Sequence, residues 1–418
     1  MPLRIAIVGG SSAGLMHGVM AKRLGHDVHI FEQYPSSIRE GQAAGISTGA
    51  HTQKFLERYD LCCEPCYVSA STLRVRDYNF DEKIIRKIKF RMTSWNTLYY
   101  RLRANFDGLS SPYVLVPPKS LESDGEATYN TDKRVTDVAS QDAHDGISIK
   151  FEDMADGTGG VFQADMVIAA DGANSSIRQL LLPQVQRQYA GYVTWRATIP
   201  ESRLSQSTLS AFEDASTAYY TKTSYVVVYS IPGDNGDLRP GKRHVNFVWY
   251  YNCSAHSEEF SDIMTDVDGH CHVHTLPPGK MRPEVWTRQR ARGEQELGFQ
   301  FKEILAKIDS PFITAISDYR VPRASFFGGK VVLVGDALAL FRPHTAQSTA
   351  QAAVDCTLLE QVLKGEMDVS DWEQEVLQYA HRTGLASNCI GAWYLRGYLS
   401  WLYYKVRSWI SENTGYLV

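Results

Sequence analysis

The chain has 418 residues, 44% hydrophobic and 22% charged, which excludes intrinsic disorder and, with no Gly-X-Y or heptad period, the fibrous classes. Lys and Arg number 43 against 47 Asp and Glu, a net charge of −4, so no global basic bias points to nucleic acid. Seven Cys are too sparse for a disulfide scaffold, the N-terminus enters a strand without a secretion signal, and no apolar run reaches the roughly eighteen residues of a membrane span; a reduced, cytoplasmic, two-domain protein is expected.

Arg4–Val8 is a β-branched run suited to a strand covered on both faces of a parallel sheet. Gly9-Gly10-Ser11-Ser12-Ala13-Gly14 leads into helical apolar spacing over Ala13–Leu24, and Asp27–Phe31 reads as a second strand. A dinucleotide fingerprint needs a Gly for the tight turn and another for close helix–strand contact, which Gly9 and Gly14 supply. Ser11 stands where a middle Gly is usual. Glu32 follows the second strand, where an acid holds ribose hydroxyls and favours an unphosphorylated ribose, as in FAD or NAD.

Polar, turn-rich tracts at Lys119–Arg134, Ser140–Gly146 and Asp153–Gly160 leave Ile147–Phe151 and Val161–Ala170 as strands of a meander. Asp171-Gly172-Ala173-Asn174-Ser175-Ser176-Ile177-Arg178 follows directly. From about Gln184 to Asn252, long strand-like runs such as Tyr225–Ile231 and His244–Tyr251 lack intervening helices, which predicts an inserted antiparallel sheet. Strand–turn–helix order returns over Lys330–Leu363, where Gly335-Asp336 ends an apolar strand and Arg342-Pro343-His344 follows. An Asp beside a Gly at such a strand end is where open α/β sheets bind ligands. Ile390–Ile410 is rich in Trp, Tyr and Leu and reads as one terminal helix packed on the body or on a second subunit, which admits a homodimer; peripheral membrane contact is the lesser reading.

Two clusters read as structural. His270-Cys271-His272 with His274 is short and loop-like, and Cys62-Cys63 with Cys66 lacks the second ligand pair of a zinc site, so no metal is expected. Lys83–Arg91 reads as a solvated strand face that could also attract an anionic ligand.

The order of fingerprint, central Asp-Gly and late Gly-Asp resembles the class A flavoprotein aromatic hydroxylases, the group of para-hydroxybenzoate hydroxylase, over most of residues 1 to 365. Val193-Thr194-Trp195-Arg196-Ala197-Thr198-Ile199-Pro200-Glu201 and Arg342-Pro343-His344-Thr345-Ala346 are similar to the 2,6-dihydroxypyridine hydroxylase branch, in which Gly-Gly-Ser is common in the fingerprint. The resemblance implies an α/β (α+β) chain: a Rossmann-like FAD-binding domain (1–70, 100–182, 315–380), an inserted, mainly antiparallel β-sheet substrate domain (71–99, 183–314) and a C-terminal helical segment (381–418).

Carried over, Gly9, Ser11 and Gly14 would cradle the FAD pyrophosphate, and Glu32 and Arg101 would contact FAD. Asp171 would serve FAD and NAD(P)H, with Arg178 close by, and Gly335-Asp336 would hold the ribityl chain. Gly45-Ile46 and the turn Pro343, Ala346, Gln347, Ser348 would flank the flavin ring. The family usually has Gly at position 348, a polar Asn or Lys near 350 or 351 and a His at 339; this chain has Ser348, Ala350, Gln351 and Ala339.

The implied reaction uses NADH or NADPH and O2, and a flavin C4a-hydroperoxide oxygenates a small hydroxylated aromatic or heteroaromatic ring, with oxidative decarboxylation of a para-hydroxybenzoate-type substrate as a variant. A phenolate reacts better than a phenol, so a base or hydrogen-bond acceptor is expected, with His344, His51 and Tyr225 as candidates and Tyr229 and Tyr250 behind them. The alternatives are a flavin halogenase, for which a second Trp is missing after Trp195, another flavin oxidase, and a non-catalytic dinucleotide-binding module.

Overall fold

Two sheets organise the chain in a computed structural model whose described residues are 1–35, 44–140, 146–222 and 224–414; the interior of the tract expected at Ser140–Gly146 lies outside them. Arg4–Val8 is buried from Ile5 onward, as its unbroken apolar run requires. It pairs in parallel with Asp27–Phe31 on one side and Met166–Ala169 on the other. Val331–Leu333 and Ala127–Asn130 extend the sheet in parallel, and Ser325–Phe326 closes it as an antiparallel edge. The helices Ser12–Arg23, Trp95–Asp107 and Ser348–Leu363 belong to this half, the first packing on the other two.

Lys133–Ser140, Ile147–Asp153 and Gly159–Ala164 form the antiparallel meander. The expected single run Val161–Ala170 divides at Asp165, whose carboxylate accepts the Arg4 amide at 2.7 Å. Beyond that break, Met166–Ala169 leaves the meander for the parallel sheet.

The larger sheet runs Thr275–Leu276, Phe312–Arg320, Gln188–Pro200, His244–Asn252, Ser224–Ile231, Ala215–Tyr220, Val68–Arg76, Glu82–Ser94, Gly45–Ser47. It is antiparallel except where Ala215–Tyr220 meets Val68–Arg76. Its strand Phe312–Arg320 crosses residue 315, where the sequence placed a domain boundary. Along Gln188–Pro200, alternate residues Val193, Trp195, Ala197 and Ile199 enter a core completed by residues of the helices Pro283–Glu296 and Gln300–Ala306. The period of two turns Tyr192, Thr194 and Arg196 to the opposite face.

The expected single terminal helix is two, Val369–Leu395 and Tyr398–Thr414. Gly397, with φ +84°, turns the chain between them, and Arg396 is drawn inward to the Ala190 carbonyl. No helix among the described residues is long and apolar enough to cross a membrane.

Candidate functional site

The Gly-rich turn is shaped by close backbone approach. Gly9 has φ +98°, and a Cβ there would stand 2.5 Å from the Ala170 carbonyl oxygen; at Gly14 it would stand 1.9 Å from that of Gly9. The helix that follows has no acidic residue in its first turn, and the Ser11 hydroxyl makes no capping bond. Its N-terminal amides and dipole therefore face the turn available to an anion. Glu32 is 4% exposed, and its carboxylate accepts the amides of Gly10 at 2.8 Å and Tyr34 at 3.0 Å, so it braces the turn from below.

Tyr129 donates its hydroxyl to the Gly10 carbonyl at 2.8 Å, and the Arg103 guanidinium lies 3.6 Å from the Tyr129 ring centroid. Arg101, two residues earlier on the same helix, instead pairs with Asp60 and donates to the Cys62 carbonyl at 2.7 Å. Sequence reasoning singled out Arg101 and passed over Arg103, though the two face different sides of one helix.

Asp171 stands at the start of the short helix Ser176–Leu181, whose N-cap is Ser175, and accepts the Ser176 hydroxyl at 3.2 Å and the Ile177 amide at 3.3 Å. Burial pushes its carboxyl above the ordinary value. Arg178 is 2% exposed, bonds Tyr319 and donates to the Ala173 carbonyl at 2.9 Å. Tyr319 in turn donates to the Asp336 carbonyl, so the central and late Asp-Gly motifs share one network.

Gly335, with φ +58°, packs against helix Ser12–Arg23, since a Cβ there would lie 2.7 Å from that of Ala13. Its amide donates to Asp355 at 2.8 Å, and its carbonyl accepts Gln351 Nε2 at 3.0 Å. Neither side chain was singled out by sequence for this clamp. The Asp336 carboxylate is pushed up to about 6 by enclosure, and no hydrogen bond to it is recorded among the described residues. A carboxylate left without a donor beside a Gly-rich turn fits the hydroxyls of a flavin's ribityl chain. Together with the turn's free helix end, it fits FAD.

The edge strand Gly45–Ser47 and the turn after Phe341 approach each other. Gly45 donates its amide to Asn246 at 3.1 Å, and its carbonyl accepts Tyr229 at 3.2 Å, while Thr349 donates to the Ser47 carbonyl. Ile46 packs partly buried against the core. Pro343–Thr345 is one 3₁₀ turn, Ala346 takes φ +51°, and Gln347 precedes the helix that starts at Ser348 with no acid in its first turn. The left-handed backbone thus falls at Ala346, and Ser348 is accommodated without strain. Ala339 is fully buried.

His344 is packed among three tyrosines. Tyr192 Oη lies 2.6 Å from its Nε2, Tyr225 bonds its Nδ1, and the Tyr250 ring sits 4.9 Å away, stacked on Tyr225 at 4.2 Å. Burial and the neighbouring Arg342 push the imidazole down to about 3, so it is neutral. Burial raises Tyr225 and Tyr192 well above their ordinary values. Tyr192 was missed by the sequence reading, although its period-two relation to Thr194 and Arg196 puts it on this face. His51 is not part of the row: it is exposed and meets Tyr379 edge-on at 5.7 Å, and Tyr379 reaches Gln347 at 3.5 Å. Among the described residues no group of three or more His, Cys, Asp or Glu could hold a metal.

Comparison with known proteins agrees with this geometry. Residues 189–318 match a family model described as FAD binding domain-like. The chain is 29% identical over 383 residues to the 2,6-dihydroxypyridine 3-monooxygenase of Paenarthrobacter nicotinovorans, covering 90% of this chain and 88% of the relative. It is 24% identical over 372 residues to the 6-hydroxynicotinate 3-monooxygenase of Bordetella bronchiseptica, covering 86% and 82%. The solved structure of 2,6-dihydroxypyridine-3-hydroxylase from Arthrobacter nicotinovorans superposes with a TM-score of 0.80 at 27% identity, over 95% of this chain and 94% of that one. With its parallel Rossmann-like sheet, its antiparallel-rich sheet and a turn fit for FAD, the chain is similar in fold and site to the FAD-dependent aromatic monooxygenases.

Proposed function

We propose that the chain hydroxylates a small aromatic or heteroaromatic ring that already carries a hydroxyl, with NADH or NADPH and O2 as co-substrates. Decarboxylative hydroxylation is the form this takes if the attacked carbon bears a carboxylate. The names of the relatives, a dihydroxypyridine and a hydroxynicotinate monooxygenase, support the ring class.

FAD, when bound, supplies the electron transfer and the activation of oxygen. Gly9, Ser11 and Gly14 would hold its pyrophosphate at the helix end, Glu32 would keep the turn in shape, and Asp336 would accept ribityl hydroxyls. The edge strand at Gly45-Ile46 and the turn from Pro343 to Ser348 would enclose the ring system, limiting the water that would divert the oxidant.

The observation that carries the reading is the row Tyr192–His344–Tyr225. Each nitrogen of a neutral imidazole faces one tyrosine hydroxyl, so a proton gained at one nitrogen is matched by a proton leaving the other. A substrate hydroxyl hydrogen-bonded to one tyrosine can pass its proton to that oxygen as the tyrosine passes its own to His344, His344 passes one to the far tyrosine, and the far tyrosine gives one up to water, so that no member is left charged. The ring then becomes more nucleophilic when it must attack. His344, a candidate base or hydrogen-bond acceptor, thus acts as a relay.

The test is NADH and NADPH oxidation by the flavin-loaded enzyme with a panel of hydroxylated benzenes and pyridines, with product masses read. Acceleration with gain of one oxygen supports the proposal, and concurrent loss of carbon dioxide identifies the decarboxylating form. Bound flavin that no ring accelerates would overturn it.

A further inference from the structure

The face of the larger sheet that holds both the Gly45 edge strand and the His344 row carries one more chemically active side chain. Arg196 follows Tyr192 and Thr194 at alternate positions of the strand Gln188–Pro200. Across the sheet it is paired with Val248 and Phe312. Its guanidinium lies 5.3 Å from the Phe312 ring centroid. Its Nε is buried with no hydrogen-bond partner, and among the described residues no carboxylate forms an ion pair with it. Burial raises the hydroxyls of Tyr229 and Tyr250, and the Arg196 charge opposes that rise at both. The cation therefore stands between the tyrosine that holds Gly45 and the tyrosine that faces His344.

A half-buried guanidinium without a counter-ion is unfavourable unless something anionic completes it. Arg presents a planar fork suited to a delocalised oxyanion. Tyr192 and Arg196 are four residues apart, about 13 Å at ~3.3 Å per residue, a span suited to a single ring with a hydrogen-bonding group at each end. We propose that Arg196 receives the negative charge of the ring substrate, a carboxylate or a deprotonated ring oxygen, and thereby turns the substrate's reacting hydroxyl toward the His344 row. The substrate class is then a hydroxylated ring that enters as an anion. This rests on the hydroxylase reading for its substrate, but not for its binding measurement.

The experiment compares wild type, Arg196→Gln and Arg196→Lys, all flavin-loaded, for binding of 4-hydroxybenzoate, 2,6-dihydroxypyridine and uncharged 4-hydroxybenzamide by quenching of tryptophan fluorescence. Nucleotide oxidation is read alongside. R196Q is expected to weaken the charged probe by about 10- to 100-fold, with the amide changed less than about 3-fold and R196K intermediate. Dependence for the benzoate alone identifies a carboxylate, and for the pyridine alone a ring oxygen. Equal loss for charged and uncharged probes, no loss, or no binding of any charged probe to wild type overturns the proposal. Arg196-dependent binding without accelerated nucleotide oxidation would sink the hydroxylase reading and leave the anion site standing. Accelerated oxidation indifferent to Arg196 would do the reverse. Flavin content and melting temperature of R196K separate either outcome from misfolding.

Discussion

Tyr192 Oη lies 2.6 Å from His344 Nε2, which joins the larger sheet to the turn after Phe341. With the imidazole pushed down to about 3 from an ordinary 6.5, this histidine stays neutral across the working range. His344→Asn is expected to lower ring-stimulated turnover by about 10²- to 10⁴-fold with flavin content unchanged. Any inflection of kcat near pH 6.5 should survive in Tyr225→Phe and Tyr192→Phe at the same position. An inflection that moves in those variants would show that His344 titrates after all.

Asp336 has a carboxyl held at about 6 by enclosure and no recorded donor. Asp336→Ala should weaken FAD binding by on the order of 10- to 100-fold, measured as flavin retained through gel filtration. Full retention would remove Asp336 from the cofactor's partners.

Gly14 leaves a methyl group no room, since it would meet the Gly9 carbonyl oxygen at 1.9 Å. Gly14→Ala should lower stability by about 1–3 kcal/mol through overpacking and displace the fingerprint turn, so flavin content falls with the melting temperature. Gly49→Ala, where nothing lies within 4 Å of the added Cβ, is the control and should leave flavin content unchanged.

Asp355 is fully buried, and burial pushes its carboxyl up to about 8 against the opposing hydrogen bond from Gly335. The folded protein therefore keeps a proton that the unfolded chain releases near 3.8. Its stabilising contribution is complete below about pH 4 and is lost progressively as pH rises to about 8. The melting temperature of Asp355→Asn should thus gain on that of the wild type between pH 5 and pH 8. A constant difference across that range would contradict the assignment.

The parallel sheet was legible because each strand is a local apolar run and its fingerprint is a local turn. The inserted antiparallel sheet was legible too, because runs such as Tyr225–Ile231 and His244–Tyr251 follow one another without helices between them. What covers the Tyr192 face was not legible, since the bonds from His344 to Tyr192 and Tyr225 close loops of 152 and 119 residues. Arg101 and Arg103 show a finer limit: composition and spacing are alike, and only the packing of Asp60 and Tyr129 decides which guanidinium meets the Gly-rich turn. The break between the terminal helices was missed although Gly397 marked it, because the surrounding apolar pattern continues on both sides.

The pins on the Gly45 edge strand also set the order in which the protein can be completed on the ribosome. The strand's contacts reach Asn246, 201 residues away, and Thr349, 302 residues from Ser47. The parallel sheet likewise receives Val331–Leu333 only after the larger sheet has been synthesised. Such non-local closure makes assembly slow and late. A nascent chain released before the helix Ser348–Leu363 has emerged would carry an intact Gly-rich turn but an unfinished pocket. Flavin capture is therefore expected only of chains in which this helix has been made.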